Sequence, residues 1–528
     1  MRAGRLTLAL AAACIFALGW IFTMPGVPGE AVVYGHEDDD RAESRDRRNL
    51  DTRLKKMLRA NGFTGTIGTQ IEQRLGRRIN KDQAELGRLL WFDNLSSLHH
   101  DNTCGGCHSP SNGFGDTQPM AIGVDRNTKV GPNMTGPRNQ RRSPFVINAA
   151  FYPSLMWNSR FSTSVPLFSL PLGDPFSNAN GFHFPPPEGD TFAPPNDPVL
   201  KHLLQAHAQL PPTELVEVAG FTGTCPTLGP DFCQFDNGVG DPVPPPDASG
   251  FRNDPIRAQA TALLNANRKY RKLFAAAFPE MGGPGGEITF SMFGRAIAEF
   301  EFTLIFANAP IDQFARGDTD AMTTREKRGA VVFFDEDKGK CVTCHAVKGK
   351  SNEMFSDFQN YVTGVPQIAP FFGDGKSNII YDGPGADEDF GQEQIDGDPN
   401  SRYKFRTSPL RNLALSPAFF HNGAFKELED AIRFHLDPIA NTPSYDAVAA
   451  GVPADLTHRQ GPSAPVLARL DSVLVPGIHL TAAEIKDVVA FVKTGLLDPD
   501  AGPDNLCQLV PKRVPSGIPV LEFENCNP

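Results

Sequence analysis

The stretches "CGGCH" at Cys104–His108 and "CVTCH" at Cys341–His345 carry the same Cys-x-x-Cys-His pattern. This pattern is the attachment signature of c-type haem, in which both thiols bond covalently to the porphyrin and the histidine ligates the iron. A Cys-x-x-Cys pair alone could be a redox or zinc site. The following histidine, the occurrence of the motif twice and a predicted export signal favour two covalently bound haems. The predicted haem-binding residues are Cys104, Cys107, His108, Cys341, Cys344 and His345.

Each motif follows a predicted helix. The segment "KDQAELGRLLWFD" (81–93) has an amphipathic pattern, and "TTREKRGAVVFFD" (323–335) begins with a capping box of Thr323 and Glu326. A later helix in "LTAAEIKDVVAFVKTGLL" begins with a second capping box, Thr481 and Glu484. The order of helix, motif, irregular segment and further helices occurs twice. We therefore predict a mainly α fold of two cytochrome c-like haem domains with long irregular loops.

The chain divides into five predicted segments. They are a signal peptide or N-terminal anchor, a charged extension, an N-terminal haem domain with a Pro/Gly-rich loop insertion, a C-terminal haem domain and a disulfide-closed tail. Their boundaries are 1–31, 32–80, 81–317, 318–500 and 501–528. Residues 32–50 are highly charged, and we expect a mobile lead-in there.

The N-terminus has the layout of an export signal. Arg2 and Arg5 precede an apolar run from Leu6 to about Met24, and small residues allow cleavage after Ala31. The run is long for a cleaved signal, so an uncleaved membrane anchor is an alternative. Either way we expect the mature chain outside the cytoplasm, in the periplasm or otherwise exported.

Four further cysteines fit an oxidising compartment. Their spacing favours the disulfides Cys225–Cys233 and Cys507–Cys526, although the sequence leaves crossed pairing open. The formal net charge is −11, and no basic run indicates nucleic-acid binding. An acidic surface suits a basic or dipolar redox partner. The sequence leaves a homodimer open.

Several stretches within 85–496 together resemble the bacterial di-haem cytochrome c peroxidase family, which includes di-haem enzymes that mature a quinone cofactor. They include "LGRLLWFDNLSS", "SPFVINAAFYPSLMWNSR" and "FRTSPLRNLALSPAFFHNGAF". The resemblance implies that hydrogen peroxide reacts at the N-terminal, peroxidatic haem. The C-terminal haem would relay electrons from a cytochrome c or copper protein, and Trp157 would lie between the haems. Simple core packing is the alternative role of Trp157.

The first haem departs from the family pattern. In the peroxidases of this family that need reductive activation, the first haem has a distal histidine. At that position "AIGVD" places Val124, which cannot ligate iron. We therefore expect an open first haem, with nearby Met120 as the competing ligand. The resemblance places the acid–base catalyst at Glu217 in "PPTELVEVAG", with Glu214 as the alternative if the register slips by one turn. A solvated loop glutamate is the simplest other interpretation of Glu217.

The second departure lies in "LEDAIRFHLDP", Leu428 to Pro438. His435 falls on the apolar stripe of this predicted helix, so it could be a core residue or a metal ligand. The resemblance places it at the distal-ligand position of the second haem, where the family has methionine or tyrosine. A bis-histidine haem has a lower potential than a His/Met haem.

The resemblance also assigns supporting roles. His421 would support the second haem, and Arg406 and Arg411 would lie near haem propionates. The resemblance also implies a calcium ion between the domains. The sequence leaves this ion open, because Arg142 stands where we expect an asparagine ligand. Asn139 and the backbone oxygen of Ser416 could substitute.

The remaining histidines carry weaker expectations. We expect His99 and His100 to be exposed, and His183 and His207 could line the first haem's distal pocket.

Three functions remain in competition on sequence alone. The leading hypothesis is an exported di-haem peroxidase. The second is a peroxide-dependent oxidase that modifies a specific protein or organic substrate. The third is a non-catalytic electron-transfer cytochrome, which an acid–base glutamate beside an open haem argues against.

Overall fold

The structure is a computed structural model that describes most of the chain from residue 36 to 526. Within that range it leaves out residues 164–166, 169–170, 186–187, 189–191, 226, 229–232, 234 and 371–380. The predicted signal peptide or anchor therefore lies outside the described residues. No helix among the described residues is both long and apolar enough to span a bilayer.

Helices dominate the described chain. The α-helices are α1 (His36–Ala60), α2 (Ile71–Leu75), α3 (Lys81–Trp91), α4 (Cys104–Cys107), α5 (Leu203–His207), α6 (Asn253–Ala266), α7 (Arg268–Ala277), α8 (Phe290–Glu301), α9 (Pro310–Ala315), α10 (Thr324–Phe333), α11 (Glu393–Asp396), α12 (Leu428–Leu436), α13 (Pro438–Asn441), α14 (Ala464–Leu467), α15 (Ala482–Ala490) and α16 (Pro503–Leu506). The mainly α prediction is confirmed.

Short strand pairs connect distant parts of the chain. The strands are β1 (Lys129–Val130), β2 (Ser154–Leu155), β3 (Phe161–Ser162), β4 (Asn360–Tyr361), β5 (Phe405–Arg406) and β6 (Glu522–Phe523). Strand β2 pairs antiparallel with β3, β4 pairs antiparallel with β5, and β1 pairs parallel with β6.

Local capping explains where the main helices begin. Asn80 accepts hydrogen bonds from the backbone N–H groups of Asp82 and Gln83 at the start of α3. Thr323 and Thr481 form the predicted capping boxes of α10 and α15, each reciprocated by a glutamate at the third helical position.

From His36 onward, the charged segment that we expected to be a mobile lead-in begins helix α1. Leu50, Leu54 and Leu58 recur every four residues, so they share one helix face. Leu54 and Leu58 are fully buried against the core around α10 and α15. Asp51 adds an ion pair to Lys327 of α10, at 2.7 Å.

Two helix crossings position the two motifs. Helix α3 crosses α8 at Gly87, where an added Cβ would lie 1.9 Å from the Ala296 carbonyl oxygen. Helix α10 crosses α15 at Gly329 in the same way, 1.9 Å from the Asp487 carbonyl oxygen. In each half, the helix before the motif therefore approaches a later helix closely at a glycine.

The end of the chain packs on the first half. Leu521 and Phe523 belong to the core formed by α3, α7 and α8, and β6 pairs with β1. Contacts between residues divide the chain into two compact units. Asn49–Pro528 form the unit that holds both motifs, and the described residues before Asn49 belong to the other. Both predicted disulfides, Cys225–Cys233 and Cys507–Cys526, are confirmed.

Candidate haem-binding sites

The second motif opens onto an interior cavity. Cys341, Cys344 and His345 line it, and so do Trp157 from the first half and His435 from α12. The structure thus brings together Cys341, Cys344, His345 and His435, the residues predicted to bind the second haem. Much of the remaining lining is apolar, including leucine, valine and phenylalanine side chains.

His345 is oriented by a backbone carbonyl. Its Nδ1 lies 3.0 Å from the carbonyl oxygen of Phe355, to which it can donate, and this leaves Nε2 for a metal. Burial lowers the pKa of His345 below its usual value. The imidazole is therefore neutral, which is the form that ligates metals.

His435 faces His345 across the cavity. Their ring centroids are 6.4 Å apart, with an angle of 57° between the ring planes. Two imidazoles on opposite sides of one metal ion, with bonds of about 2.0 Å, would have centroids about 6 Å apart. Burial, together with nearby His345, lowers the pKa of His435 to about 4. The pair therefore has the spacing and protonation state of two axial ligands.

Trp157 connects this cavity to the first motif. Its Nε1 donates to the carbonyl oxygen of Arg142 at 2.8 Å. Two residues further on, the carbonyl oxygen of Pro144 lies 3.0 Å from Nδ1 of His108. A short backbone segment and two hydrogen bonds therefore join Trp157 to His108, the histidine of the first motif.

The first motif forms the short helix α4. Nδ1 of His108 is anchored by the Pro144 carbonyl and by the Phe114 carbonyl at 3.2 Å. Burial lowers the pKa of His108 to about 4, so this imidazole is neutral as well. Burial also raises the pKa of the Cys104 and Cys107 thiols to about 12, and neither forms a disulfide.

Glu217 is held beside this motif. Asn102, two residues before Cys104, donates to the Glu217 carbonyl oxygen at 2.6 Å and to the Cys107 sulfur at 3.5 Å. Burial, and then the neighbouring Glu214, raise the pKa of Glu217 well above its usual value. Glu214 itself pairs with Arg160 at 2.9 Å. Burial thus favours the protonated form of the Glu217 carboxyl.

Val124 packs against the same segment. It is buried with Phe221 and Phe235, and its N–H donates to the Val216 carbonyl oxygen at 3.3 Å. The sulfur of Met120 lies 3.5 Å from Tyr381 Oη, within an apolar cluster of the C-terminal half. The Tyr381 hydroxyl donates its single hydrogen to the Gln140 carbonyl oxygen at 2.8 Å.

Both sites fit a c-type haem. Each offers two thiols and a neutral histidine whose Nδ1 is anchored, and the second lies in a largely apolar cavity that also presents His435. This donor set suits covalent attachment and axial ligation better than a zinc site, which would need four converging ligands.

Residues 81–320 match the family model for di-haem cytochrome c peroxidases. Cytochrome c551 peroxidase of Pseudomonas aeruginosa is 24% identical over 370 residues, covering 69% of this chain and 75% of the relative. Methylamine utilization protein MauG of Methylophilus methylotrophus is 23% identical over 361 residues, covering 68% and 74%. Over residues 81–320 this chain is thus similar to the di-haem cytochrome c peroxidases. It is an oxidoreductase that resembles the enzymes of that family.

The fold of this chain is similar to that of a solved structure. A MauG-like protein associated with microbial copper homeostasis superposes with a TM-score of 0.50 at 23% identity. The superposition covers 80% of this chain and 91% of the other.

The prediction that His99 and His100 are exposed is wrong. His99 is not exposed: it is 2% exposed, because Gly220 and Gly240 pack directly against it. His100 is partly buried and lies 3.2 Å from Asp241.

The two histidines of the long loop region are both engaged in packing. His183 is buried, with Nε2 3.3 Å from the Asn180 carbonyl oxygen. The His207 ring packs edge-on against Phe161 at 5.0 Å. Burial, with smaller effects from His108 and Arg160, lowers the pKa of His207 to about 3.

The residues predicted to support the haems do not all lie at the second cavity. His421 lines the second cavity and stacks on Phe405 with ring centroids 3.6 Å apart. Arg406 lines the same cavity. Arg411 instead forms a buried bidentate ion pair with Asp312, at 2.7 and 2.8 Å. The carboxylate already neutralises this guanidinium, so Arg411 does not need a haem propionate.

The arrangement around Arg142 does not support calcium. Its buried guanidinium donates to the Ala418 carbonyl oxygen, which places a positive charge where a calcium ion would need oxygen ligands.

Sequence reasoning missed two polar groups at the sites. Tyr361 lines the second cavity near Cys344, and its hydroxyl donates to Asp357 at 2.7 Å. Arg160 pairs with Glu214 and lowers the pKa of Glu217, against the larger effect of burial. Tyr361 belongs to no motif. Arg160 ends the quoted stretch "SPFVINAAFYPSLMWNSR", but nothing in that stretch links it to the distant Glu214.

Proposed function

We propose that this chain is an exported di-haem peroxidase that reduces hydrogen peroxide to two water molecules at its N-terminal haem. The observation that carries the proposal is the position of Glu217, held beside the first motif by Asn102. Val124 next to this segment offers no ligand atom, which leaves the distal side open to peroxide. Bound haem would supply the iron at which the oxygen–oxygen bond is reduced.

Glu217 would manage the protons of this reaction. Burial favours its protonated form, so its carboxyl can give a proton to the leaving oxygen and take one from the other oxygen. Arg160 holds Glu214 in an ion pair, so Glu214 is the less suitable donor. This division of roles favours Glu217 over the alternative register.

Electrons would reach the first site through the second. A small redox protein, a cytochrome c or a copper protein, would donate to the C-terminal haem, ligated by His345 and His435. Trp157 lines that cavity and is hydrogen-bonded toward His108, which supports its proposed bridging role. The repeated order of helix, motif and helix supports haem domains at 81–317 and 318–500. The two disulfides are consistent with export.

The test is Glu217→Gln in the holoenzyme. We expect peroxide turnover with a reduced cytochrome c to fall by about 10²–10⁴-fold, because the proton relay is lost, while both haems stay bound. Glu214→Gln is the matched control and should retain most of the activity. Equal losses in the two variants, or none in Glu217→Gln, would refute the assignment.

A peroxide-dependent oxidase acting on a protein or organic substrate is the second candidate. The observation that favours it is the His345–His435 pair, because bis-histidine ligation lowers the potential of the electron-entry haem. Such an enzyme would react rapidly with peroxide but turn over poorly with reduced cytochrome c. Stopped-flow mixing with and without that donor separates the two activities.

A further inference from the structure

A buried histidine with two aspartates lies outside both haem sites. His99 Nδ1 is 2.8 Å from Asp101 Oδ2, and its Nε2 is 3.4 Å from Asp125 Oδ1. The His99 side chain is 1% exposed. One ligand atom from each residue can be chosen so that all three lie within 4.8 Å of one another.

The close contact between His99 and Asp101 is not a hydrogen bond. The aspartate oxygen lies away from the direction in which an N–H would point, so among the described residues Nδ1 has no hydrogen-bond partner. The other oxygen of Asp101, Oδ1, is buried without a partner as well. Two ligands of one ion, each about 2.0–2.2 Å from it, lie about 3 Å apart, with the ion on the axis of the ring nitrogen. A metal ion would therefore explain the contact.

The other ring nitrogen is held as in known metal sites. His99 Nε2 lies 3.2 Å from Asn237 Oδ1, to which it can donate, and the Asn237 amide donates to Asp125 Oδ1. A metal-bound histidine usually donates its second N–H to an acceptor that fixes the ring. Asn237 thus orients His99 and Asp125 together.

The backbone around His99 is built for close approach. Gly220 and Gly240 have φ values of +82° and +77°, and an added Cβ on either would lie within 2.6 Å of a His99 atom. Asp101 also accepts a hydrogen bond from the Asp125 N–H at 2.7 Å, which fixes the two aspartates relative to each other. The ligand atoms are therefore positioned by the protein itself.

We propose that His99, Asp101 and Asp125 bind a divalent transition-metal ion of the Zn²⁺ type. One imidazole nitrogen and two carboxylates suit such an ion, whereas Ca²⁺ prefers six to eight oxygen ligands. The Asp101 and Asp125 side chains are 19% and 14% exposed, which leaves room for water ligands.

The ion would join three segments around the first haem. Asp101 lies just before the first motif, Asp125 follows Val124, and Asn237 follows the Cys225–Cys233 disulfide. Its role would be to hold these loops in place, and it does not depend on the proposed peroxidase activity.

Zinc binding tests the proposal directly. The chelator-treated holoenzyme is titrated with Zn²⁺ by calorimetry, and we expect one tight site per chain. Asp125→Asn should weaken this site by at least about 100-fold. The matched control is Asp241→Asn, because Asp241 pairs with the neighbouring His100 at 3.2 Å but lies outside the ligand set. It should keep the wild-type affinity.

A second variant helps to distinguish loss of the metal site from loss of folding. His99→Gln should also lose the tight site, and the haem absorption spectrum and melting temperature establish that each variant is folded. A wild-type protein without a tight zinc site would overturn the proposal and leave His99 as an imidazolium paired with two carboxylates. Equal affinities in wild type and Asp125→Asn would overturn it too. Neither result bears on peroxide turnover, so the proposed function is tested separately.

Discussion

At the scale of single residues, the proposed second haem site rests on the position of His435. Its place on the apolar stripe of the helix is compatible with either a core residue or a metal ligand. The ring centroids of His435 and His345 lie 6.4 Å apart, which is the spacing expected of two imidazoles that bind one metal ion. Among the described residues its Nδ1 has no hydrogen-bond partner, so the ring is held by packing against neighbours such as Phe420. Iron ligation would add the missing constraint.

His435→Ala tests this ligand. We expect the second haem of the ferric protein to change from a low-spin to a high-spin state, because alanine leaves the sixth position without a strong ligand. Low-temperature EPR measures the change. The exposed His479→Ala is the control and should leave the spectrum as in wild type. A low-spin signal that persists unchanged in His435→Ala contradicts the assignment.

The protonation of Glu217 predicts a pH dependence. Burial and Glu214 raise its pKa, with Arg160 opposing them, so the folded protein keeps this proton above the usual range of a glutamate. As the pH rises through the raised pKa, the proton donor is lost. We therefore expect kcat/KM for peroxide to fall over this range in wild type, and this limb to vanish in Glu217→Gln. A wild-type kcat/KM that rises instead would mean that the carboxylate is the active form.

At the scale of elements, two glycine crossings set the distance between helices. Gly87 lets α3 approach α8, and Gly329 lets α10 approach α15. The capping residues Thr323 and Thr481 could be read from the sequence because a capping box spans only four positions. The residue that each glycine contacts could not be predicted from the sequence. It lies far along the chain, and only tertiary packing brings it to the glycine.

Gly329→Ala should destabilise the second half. Alanine favours an isolated helix by about 1 kcal/mol relative to glycine. Here its Cβ would lie 1.9 Å from the Asp487 carbonyl oxygen. We expect a net loss of about 1–3 kcal/mol in the free energy of unfolding, measured by denaturant titration. Gly285→Ala, with no atom within 4 Å of its added Cβ, is the control and should not destabilise. A Gly329→Ala variant at least as stable as wild type would show that the crossing is not tight.

At the scale of the whole molecule, segments near the two ends of the described chain each pack with the half that is more distant along the sequence. Residues 50–58 of α1 pack with the second half, while Leu521 and Phe523 pack with the first. The ring of Phe523 meets Phe92 edge-on at 5.4 Å and lies close to Gly105 of the first motif. The disulfide-closed tail thus packs directly against the first motif.

Phe523→Ala measures this contribution. Removing a buried phenylalanine should cost about 3–5 kcal/mol in the free energy of unfolding, because a cavity opens between the tail and α3. Phe251→Ala, at a position that is 43% exposed, should cost far less. Similar losses in the two variants would mean that the tail is only loosely attached.

The sequence by itself determined the haem chemistry, the helical class, the helix starts and the disulfide pairs. These features rest on covalent motifs or on contacts between residues close along the chain, so local order is enough to read them. Tertiary structure decided that His435 faces His345, that Trp157 lines the cavity of the second motif, that His99 is buried between two aspartates and that Leu521 and Phe523 pack on the first half. These contacts join residues far apart along the chain, and only packing selects which of many loop closures is formed.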